Sequence, residues 1–227
     1  MNHAPVSRHR DLVRHYEEIF SIHGDGHLGV DWPNLKDLHT RFRIMTELLR
    51  NSSSNSKVSV LDFGCGNGLL LEYLENVGLL KSIDYTGLDL GESFVAHCRT
   101  RFPRETFLAL DVLESPEMLP CYDYIIMNGV LTEKRNLSDE EMLDLLKKLV
   151  LVVFGKANFG LAFNVMSTHV DWKRDDLFHL PMDRLAEFLV KEVSRNFVIR
   201  NDYGLYEYTA YVYKKSIGTE ESSWQKS

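Results

Sequence analysis

The chain has 227 residues, 44% hydrophobic and 26% charged with a formal net charge of −7, a composition that suits one globular domain with an appendage. No apolar run approaches the ~18 residues of a membrane-spanning helix, and Met1 to Pro5 lack the apolar stretch of a signal peptide, so a cytoplasmic protein is expected. The acidic balance argues against a nucleic-acid backbone as partner, and Cys65, Cys98 and Cys121 have neither metal-ligand nor radical-cluster spacing.

The first fifty residues read as helical. Leu12, Val13, Tyr16, Ile19 and Phe20 recur at helical spacing, and Gly24, Gly26 and Gly29 break the pattern before Trp32 and Pro33. A second helix is expected from about Asn34 to Leu49, its buried side formed by Leu35, Leu38, Phe42, Met45, Leu48 and Leu49, all read as core. Between the two, His23, Asp25 and His27 form a His-x-Asp-x-His trio in a glycine loop. No further ligand stands nearby to complete a coordination sphere, so a solvated loop is expected and no metal, with His27 kept as a pocket candidate. The polar run Asn51 to Lys57 reads as a linker, making residues 1–57 an N-terminal helical cap and linker. Arg41, on the second helix, stands where it can reach a crevice in the domain that follows.

The stretch Val58 to Gly68 organises the rest of the chain. Val58 to Phe63 reads as a buried strand, and Gly64, Gly66 and Gly68 follow at alternate positions before the helix-forming run Leu69 to Leu74. Strand, glycine turn and helix bring backbone amides close to a ligand, the arrangement of a nucleotide-cofactor site. A second strand, Ile83 to Asp89, ends in a carboxylate about 20 residues beyond the glycines, where such an acid accepts the hydrogens of a ribose diol. Asp89, with Leu90 after it, is therefore the expected ribose site, and Asp84 reads as a solvated turn. Further strands are expected over Thr106 to Asp111 and Tyr122 to Asn128. Ser138 and Glu141 make a capping box that opens a helix through about Val153. A fifth strand, Asn158 to Met166, leads into a polar and aromatic loop with His169, Trp172 and His179, expected to carry substrate contacts. A helix from Pro181 and Asp183 precedes a terminal hairpin, Phe197 to Arg200 and Tyr206 to Tyr213, with Tyr203 near its turn. Residues 216–227 read as a polar tail.

The third glycine comes one residue earlier than in the dinucleotide fingerprint, and a Tyr-x-x-x-Lys match at Tyr211 and Lys215 falls in a strand, both against a nicotinamide dehydrogenase. Leu61-Asp62-Phe63 followed by Gly64-Cys65-Gly66-Asn67-Gly68 instead resembles motif I of the class I S-adenosylmethionine (SAM)-dependent methyltransferases. The resemblance spans residues 58–215 and implies an α/β fold with a seven-stranded doubly wound sheet, mostly parallel with an antiparallel C-terminal strand. It further implies a cofactor site of Asp62, Gly64, Cys65 and Gly66 with Asp89 and Leu90. Asp111 and Val112 would meet the adenine edge, and Asn128 and Gly129 would lie beside the methionine moiety. Arg41, by its position shortly before the linker, is expected on the SAM carboxylate or on an acidic substrate.

The fourth strand ends in Asn128-Gly129-Val130-Leu131, not in the Asn/Asp-Pro-Pro-aromatic motif of amino-group methylation of bases and glutamine, and Pro120-Cys121 precedes its strand. A small-molecule acceptor is expected, with S-adenosylhomocysteine (SAH) as the second product. Its pocket candidates are His27, His169, His179, Trp172 and Tyr203, with no catalytic base assigned. A SAM-binding protein that acts through a partner without transferring methyl is the alternative.

Overall fold

The computed structural model describes residues 8–51 and 57–216. The expected tail from residue 217 onward and the middle of the expected linker, residues 52–56, lie outside them. Seven strands form one sheet in the order β3-β2-β1-β4-β5-β7-β6, with β1 Val58–Phe63, β2 Ile83–Asp89, β3 Thr106–Ala109, β4 Tyr122–Met127, β5 Ala157–Met166, β6 Phe197–Arg200 and β7 Glu207–Tyr213. Strands β1 to β5 pair in parallel, and β7 is antiparallel to both β5 and β6. The doubly wound sheet with one reversed strand near its end agrees with the expectation from sequence.

Alternation along the central strands sorts side chains onto two faces. Val58 and Val60 of β1, Tyr124 and Ile126 of β4 and Tyr211 of β7 belong to one core; Leu61 and Phe63, Ile125 and Met127, and Ala210 and Val212 belong to the other. Helices α3 (Leu69–Asn76) and α4 (Glu92–Arg101) cover the first face, and α5 (Asp139–Gly155) and α6 (Met182–Phe188) the second. The capping box of α5 is present: Ser138 Oγ accepts from the Glu141 N–H, and the Glu141 carboxylate accepts from the Ser138 N–H.

The N-terminal segment divides into two parts. Asn34 caps α2 (Leu35–Thr46), its Oδ1 accepting from the N–H groups of Lys36 and Asp37 at 2.9 and 3.3 Å. From α2 and the 3-10 turn after it, Leu38, Phe42, Ile44, Met45 and Leu48 are buried in the same core as Val60, Leu71 and Tyr85. Leu35, expected among them, is instead exposed, because it stands at the first turn, before the helix reaches the sheet. Helix α1 (Arg8–His23) crosses the carboxyl ends of the strands and is held there by polar contacts: His9 to Asp111 at 3.0 Å, Arg10 to Glu114 at 2.6 Å, and the Ser93 N–H and hydroxyl to Glu17. Strand β3 ends two residues before Asp111, so that Asp111 sits in the turn after it. Among the described residues no helix is long and apolar enough to cross a membrane.

Candidate active site

The strand order reverses between β1 and β4, and a cleft opens there at the carboxyl ends of the strands. The sequence places glycines at the floor. Gly64, Gly66 and Gly68 all adopt positive φ (77°, 52° and 86°), which an L side chain rarely tolerates. A Cβ on Gly66 would stand 2.8 Å from Val30 Cγ1 and one on Gly64 2.5 Å from Val130 Cγ2, so the turn has no room for a side chain. Asp89, at the end of β2, braces this turn: its Oδ2 accepts from the Gly66 N–H and its Oδ1 from the Gly91 N–H, both at 2.8 Å. Burial raises the Asp89 pKa, opposed by these backbone hydrogen bonds. A carboxylate offers about four lone-pair sites, so acceptor capacity remains for a ligand beyond the Gly66, Gly91 and Leu90 amides.

Gly64, Gly66, Asp89, Leu90, Asp111, Val112, Asn128 and Gly129 line one cavity, which α1 roofs with His9, Leu12, Val13 and Tyr16. Burial pushes the Asp111 carboxyl up, but the His9 contact and the Leu113 N–H outweigh it and hold the pKa below its ordinary value.

A smaller cavity adjoins the glycine turn, lined by Asp62, Cys65, Asn67 and Asn128 with Trp32, Phe42 and Leu70. Asp62 is 2% exposed and accepts from the Tyr85 hydroxyl at 2.7 Å; burial drives its pKa up to about 7. Asn67 Nδ2 donates to the Gly26 carbonyl at 2.8 Å, but Asn67 Oδ1 and Asn128 Oδ1 are buried without a hydrogen-bond partner among the described residues. Two orphaned acceptors and a buried carboxyl around one small space call for a ligand with several N–H donors, since an unmet buried acceptor costs about 1–3 kcal/mol. Cys65 Sγ and Cys98 Sγ both approach the Gly66 carbonyl (3.8 and 3.2 Å), and the contact with Cys98, followed by burial, raises the Cys65 pKa well above the ordinary thiol value.

Tyr16, Val30 and Trp32 form the wall between the α1-roofed cavity and a third one, which is lined also by Arg41, Glu133, Met166, Trp172, Leu205 and Tyr206. Its mouth carries an exposed aromatic pair, Trp172 and Tyr206, with ring centroids 6.0 Å apart and planes at 86°, and the Tyr206 hydroxyl donates to Asp171. Glu133 accepts from Arg135 Nε at 2.6 Å, and its pKa is raised by burial. His15, Asp31 and Glu133 come close enough together to suggest a metal site. Arg135, however, reaches into that cluster: its Nη2 donates to Asp31 at 2.8 Å and contacts His15, making the group an ion-pair network between α1 and the loop after β4. Arg41 is held on two sides, by Glu207 (Nε to Oε2, 2.8 Å) and by the Trp32 ring, 4.3 Å from its centroid. Glu207 accepts in turn from Asn164 Nδ2 (3.1 Å), whose Oδ1 accepts from the Gly129 N–H (2.8 Å), a buried polar chain that ends at the α1-roofed cavity.

Of the five pocket candidates read from sequence, Trp172 lines the third cavity. His27, His169, His179 and Tyr203 line none of the three. His27 Nδ1 lies 2.6 Å from the Trp32 carbonyl, His179 Nδ1 lies 2.7 Å from the Ser167 carbonyl, and the Tyr203 hydroxyl lies 3.0 Å from Thr209 Oγ1, whereas the His169 side chain is exposed. Local polarity singled these residues out, but His27 Nδ1, His179 Nδ1 and the Tyr203 hydroxyl are engaged by neighbouring groups, and His169 faces outward. The site also contains residues that sequence reasoning passed over. Leu12, Val13 and Tyr16 read as core because an apolar helical stripe looks alike whether it covers protein or a ligand cavity. Asn67 sits inside the glycine motif, and its position between two glycines was the available signal.

A methyltransferase-domain family model matches residues 61–151. A putative methyltransferase of Mycobacterium tuberculosis is 29% identical over 160 residues, covering 70% of this chain and 94% of that protein. A malonyl-[acyl-carrier protein] O-methyltransferase of Bacillus anthracis is 31% identical over 87 residues, 38% of this chain and 32% of that protein. Among solved structures, magnesium protoporphyrin IX methyltransferase from Synechocystis with bound SAM is similar with a TM-score of 0.64, at 14% identity over 94% of this chain and all of that one. The plantazolicin methyltransferase BpumL with SAH is similar with a TM-score of 0.55, at 15% identity over 92% of this chain and 98% of that one. At such identities the likeness to the two structures is one of fold.

Proposed function

We propose, for a chain that belongs to the class I SAM-dependent methyltransferases, that the two cavities flanking the glycine turn hold SAM and that the third holds a small-molecule methyl acceptor. SAM, when bound, supplies a methyl group activated on a sulfonium sulfur. The chain's task is then to hold, orient and exclude water. In-line displacement gains most from placing a nucleophile about 3–3.5 Å from the methyl carbon.

The observation that carries this reading is the pair of orphaned acceptors beside a buried carboxyl. Asn67 Oδ1, Asn128 Oδ1 and Asp62 line one small cavity next to the turn, and a primary ammonium has three N–H donors to offer such a set. The amino-acid end of SAM fits there, with Cys65 contributing wall. The adenosine end fits the larger cavity, where Asp89 has spare acceptor capacity for the ribose diol. Leu90, Asp111 and Val112 would frame the adenine, and Gly64, Gly66 and Gly129 allow close backbone approach. Tyr16, Val30 and Trp32, which separate the nucleotide cavity from the third, mark where methyl donor and acceptor would meet. We also propose that residues 1–57 are not a detachable cap: α2 serves the core and α1 serves as the roof of the cofactor cavity.

Titration calorimetry with SAM, SAH and NADH tests the cofactor site. SAM and SAH should bind and NADH should not; binding of NADH alone would overturn the assignment. Turnover is tested by following SAH formation in a fractionated metabolite extract. Tight SAM binding with no SAH formed in any fraction would favour the alternative of a SAM-binding protein that works through a partner.

A further inference from the structure

We propose that Arg41 is a preset fork for a carboxylate carried by the methyl acceptor. The inference rests on the reading of the third cavity as the acceptor site and adds the chemical class of what enters it.

Arg41 lines that cavity and neither of the two cofactor-side cavities. Its side chain is 11% exposed, and its geometry is set by two neighbours of different kinds. Glu207, 1% exposed, takes the Nε donor at 2.8 Å, and the Trp32 ring supports the guanidinium from 4.3 Å. Glu207 cannot swing away to engage more of the guanidinium, because its other oxygen accepts from Asn164. A guanidinium has five N–H donors in a planar fork. One is spent here, and Nη1 and Nη2 make no hydrogen bond among the described residues. An arginine fixed through Nε presents its two terminal nitrogens side by side, which is the arrangement that pairs with the two oxygens of a carboxylate and that a lysine cannot reproduce.

The other charged groups of the cavity do not compete for that role. Arg174 is engaged by Asp176, with Nε to Oδ1 at 2.9 Å. Asp31 and Glu133 are both met by Arg135. Asp37 stands one turn before Arg41 on α2 with no ion pair among the described residues. SAM also carries a carboxylate, but the Trp32 ring stands between that end and Arg41. One face of the ring supports the guanidinium, and its edge lies where a Cβ on Gly129 would approach to 2.6 Å.

The test uses the full-length protein saturated with SAH and three probes that share one aromatic body: indole-3-acetate, indole and tryptamine. Calorimetry should show indole-3-acetate binding at least tenfold tighter than either of the others. Arg41→Lys, which keeps a positive charge opposite Glu207 and so preserves the buried pair, should weaken indole-3-acetate about tenfold and leave SAH affinity within twofold. Equal binding of the three probes, preference for tryptamine, or no binding of indole-3-acetate at millimolar concentration would overturn the proposal. A loss of SAH affinity in Arg41→Lys larger than its effect on indole-3-acetate would also overturn it, assigning the fork to the cofactor carboxylate. Failure of SAH to bind the unaltered protein is a separate result that sinks the cofactor reading first and this inference with it.

Discussion

Asp89 Oδ2 accepts the N–H of Gly66 at 2.8 Å, so the carboxylate that ends β2 also fixes the turn that ends β1. Site residues 23 positions apart are thereby one mechanical unit, and substitutions at either end should be read together.

Gly66→Val should abolish SAH binding, a loss of at least tenfold or about 1.4 kcal/mol, while leaving the fold in place. The substitution forces a branched side chain into φ 52° and against Val30 Cγ1 at 2.8 Å, in a turn that faces a cavity and not the core. Calorimetry together with circular dichroism separates the two effects. Unchanged affinity would mean that the turn is only a connection.

Asp89→Ala should also lower SAH affinity at least tenfold, because hydrogen bonds to a charged acceptor are worth roughly 1.5–3 kcal/mol each. Part of that loss will come from the Gly66 and Gly91 amides left without their acceptor. Asp84→Ala, at an exposed position of the same strand, is the control and should change little. Comparable losses at the two positions would place the ribose elsewhere.

Asp62 gives a pH dependence with a definite sign. Its folded pKa is raised by burial to about 7 from an ordinary value of 3.8, so between those limits the folded state holds a proton that the unfolded state has released. Asp62 therefore costs nothing below about pH 4 and lowers stability progressively as pH rises towards 7. Urea unfolding at pH 5 and pH 7.5 should show Asp62→Asn gaining on the wild type by about 2 kcal/mol between the two. An unchanged difference would show that Asp62 is ionised in the folded protein throughout.

Hydrogen exchange should distinguish the two N-terminal helices. The amides of α1 should gain protection when SAH is added, because α1 roofs the cavity proposed for the nucleotide and is held there by polar contacts such as His9 to Asp111 and Glu17 to Ser93. Those of α2 should be protected with or without ligand, since Leu38, Ile44 and Met45 are almost wholly buried. A chain beginning at Lys57 should accordingly fail to fold, having lost these side chains from the core that β1 and α3 share. Cooperative unfolding of that shortened chain would restore the view of residues 1–57 as a separable cap.

Local pattern in the sequence determined the strand, glycine turn and helix at Val58 to Leu74, with Asp62 in that strand, and the capping box at Ser138, because spacing within a few residues lets backbone preference and burial period act directly. Asp89 was legible through its distance of about 20 residues from the glycines, and the reversed strand β7 through the family resemblance. Only the tertiary structure decided what α1 does, since Leu12, Val13 and Tyr16 form an apolar stripe that would look the same facing a core. Only the tertiary structure set Asn67 Oδ1 and Asn128 Oδ1 beside Asp62 without a partner among the described residues, and placed Arg41 in the lining of the third cavity. Arg41 meets Glu207 across 166 residues of chain, and His9 meets Asp111 across 102. Pairings at that separation leave no trace in local spacing, because they are selected by which elements the sheet brings together and by the cost of burying a charge without its partner.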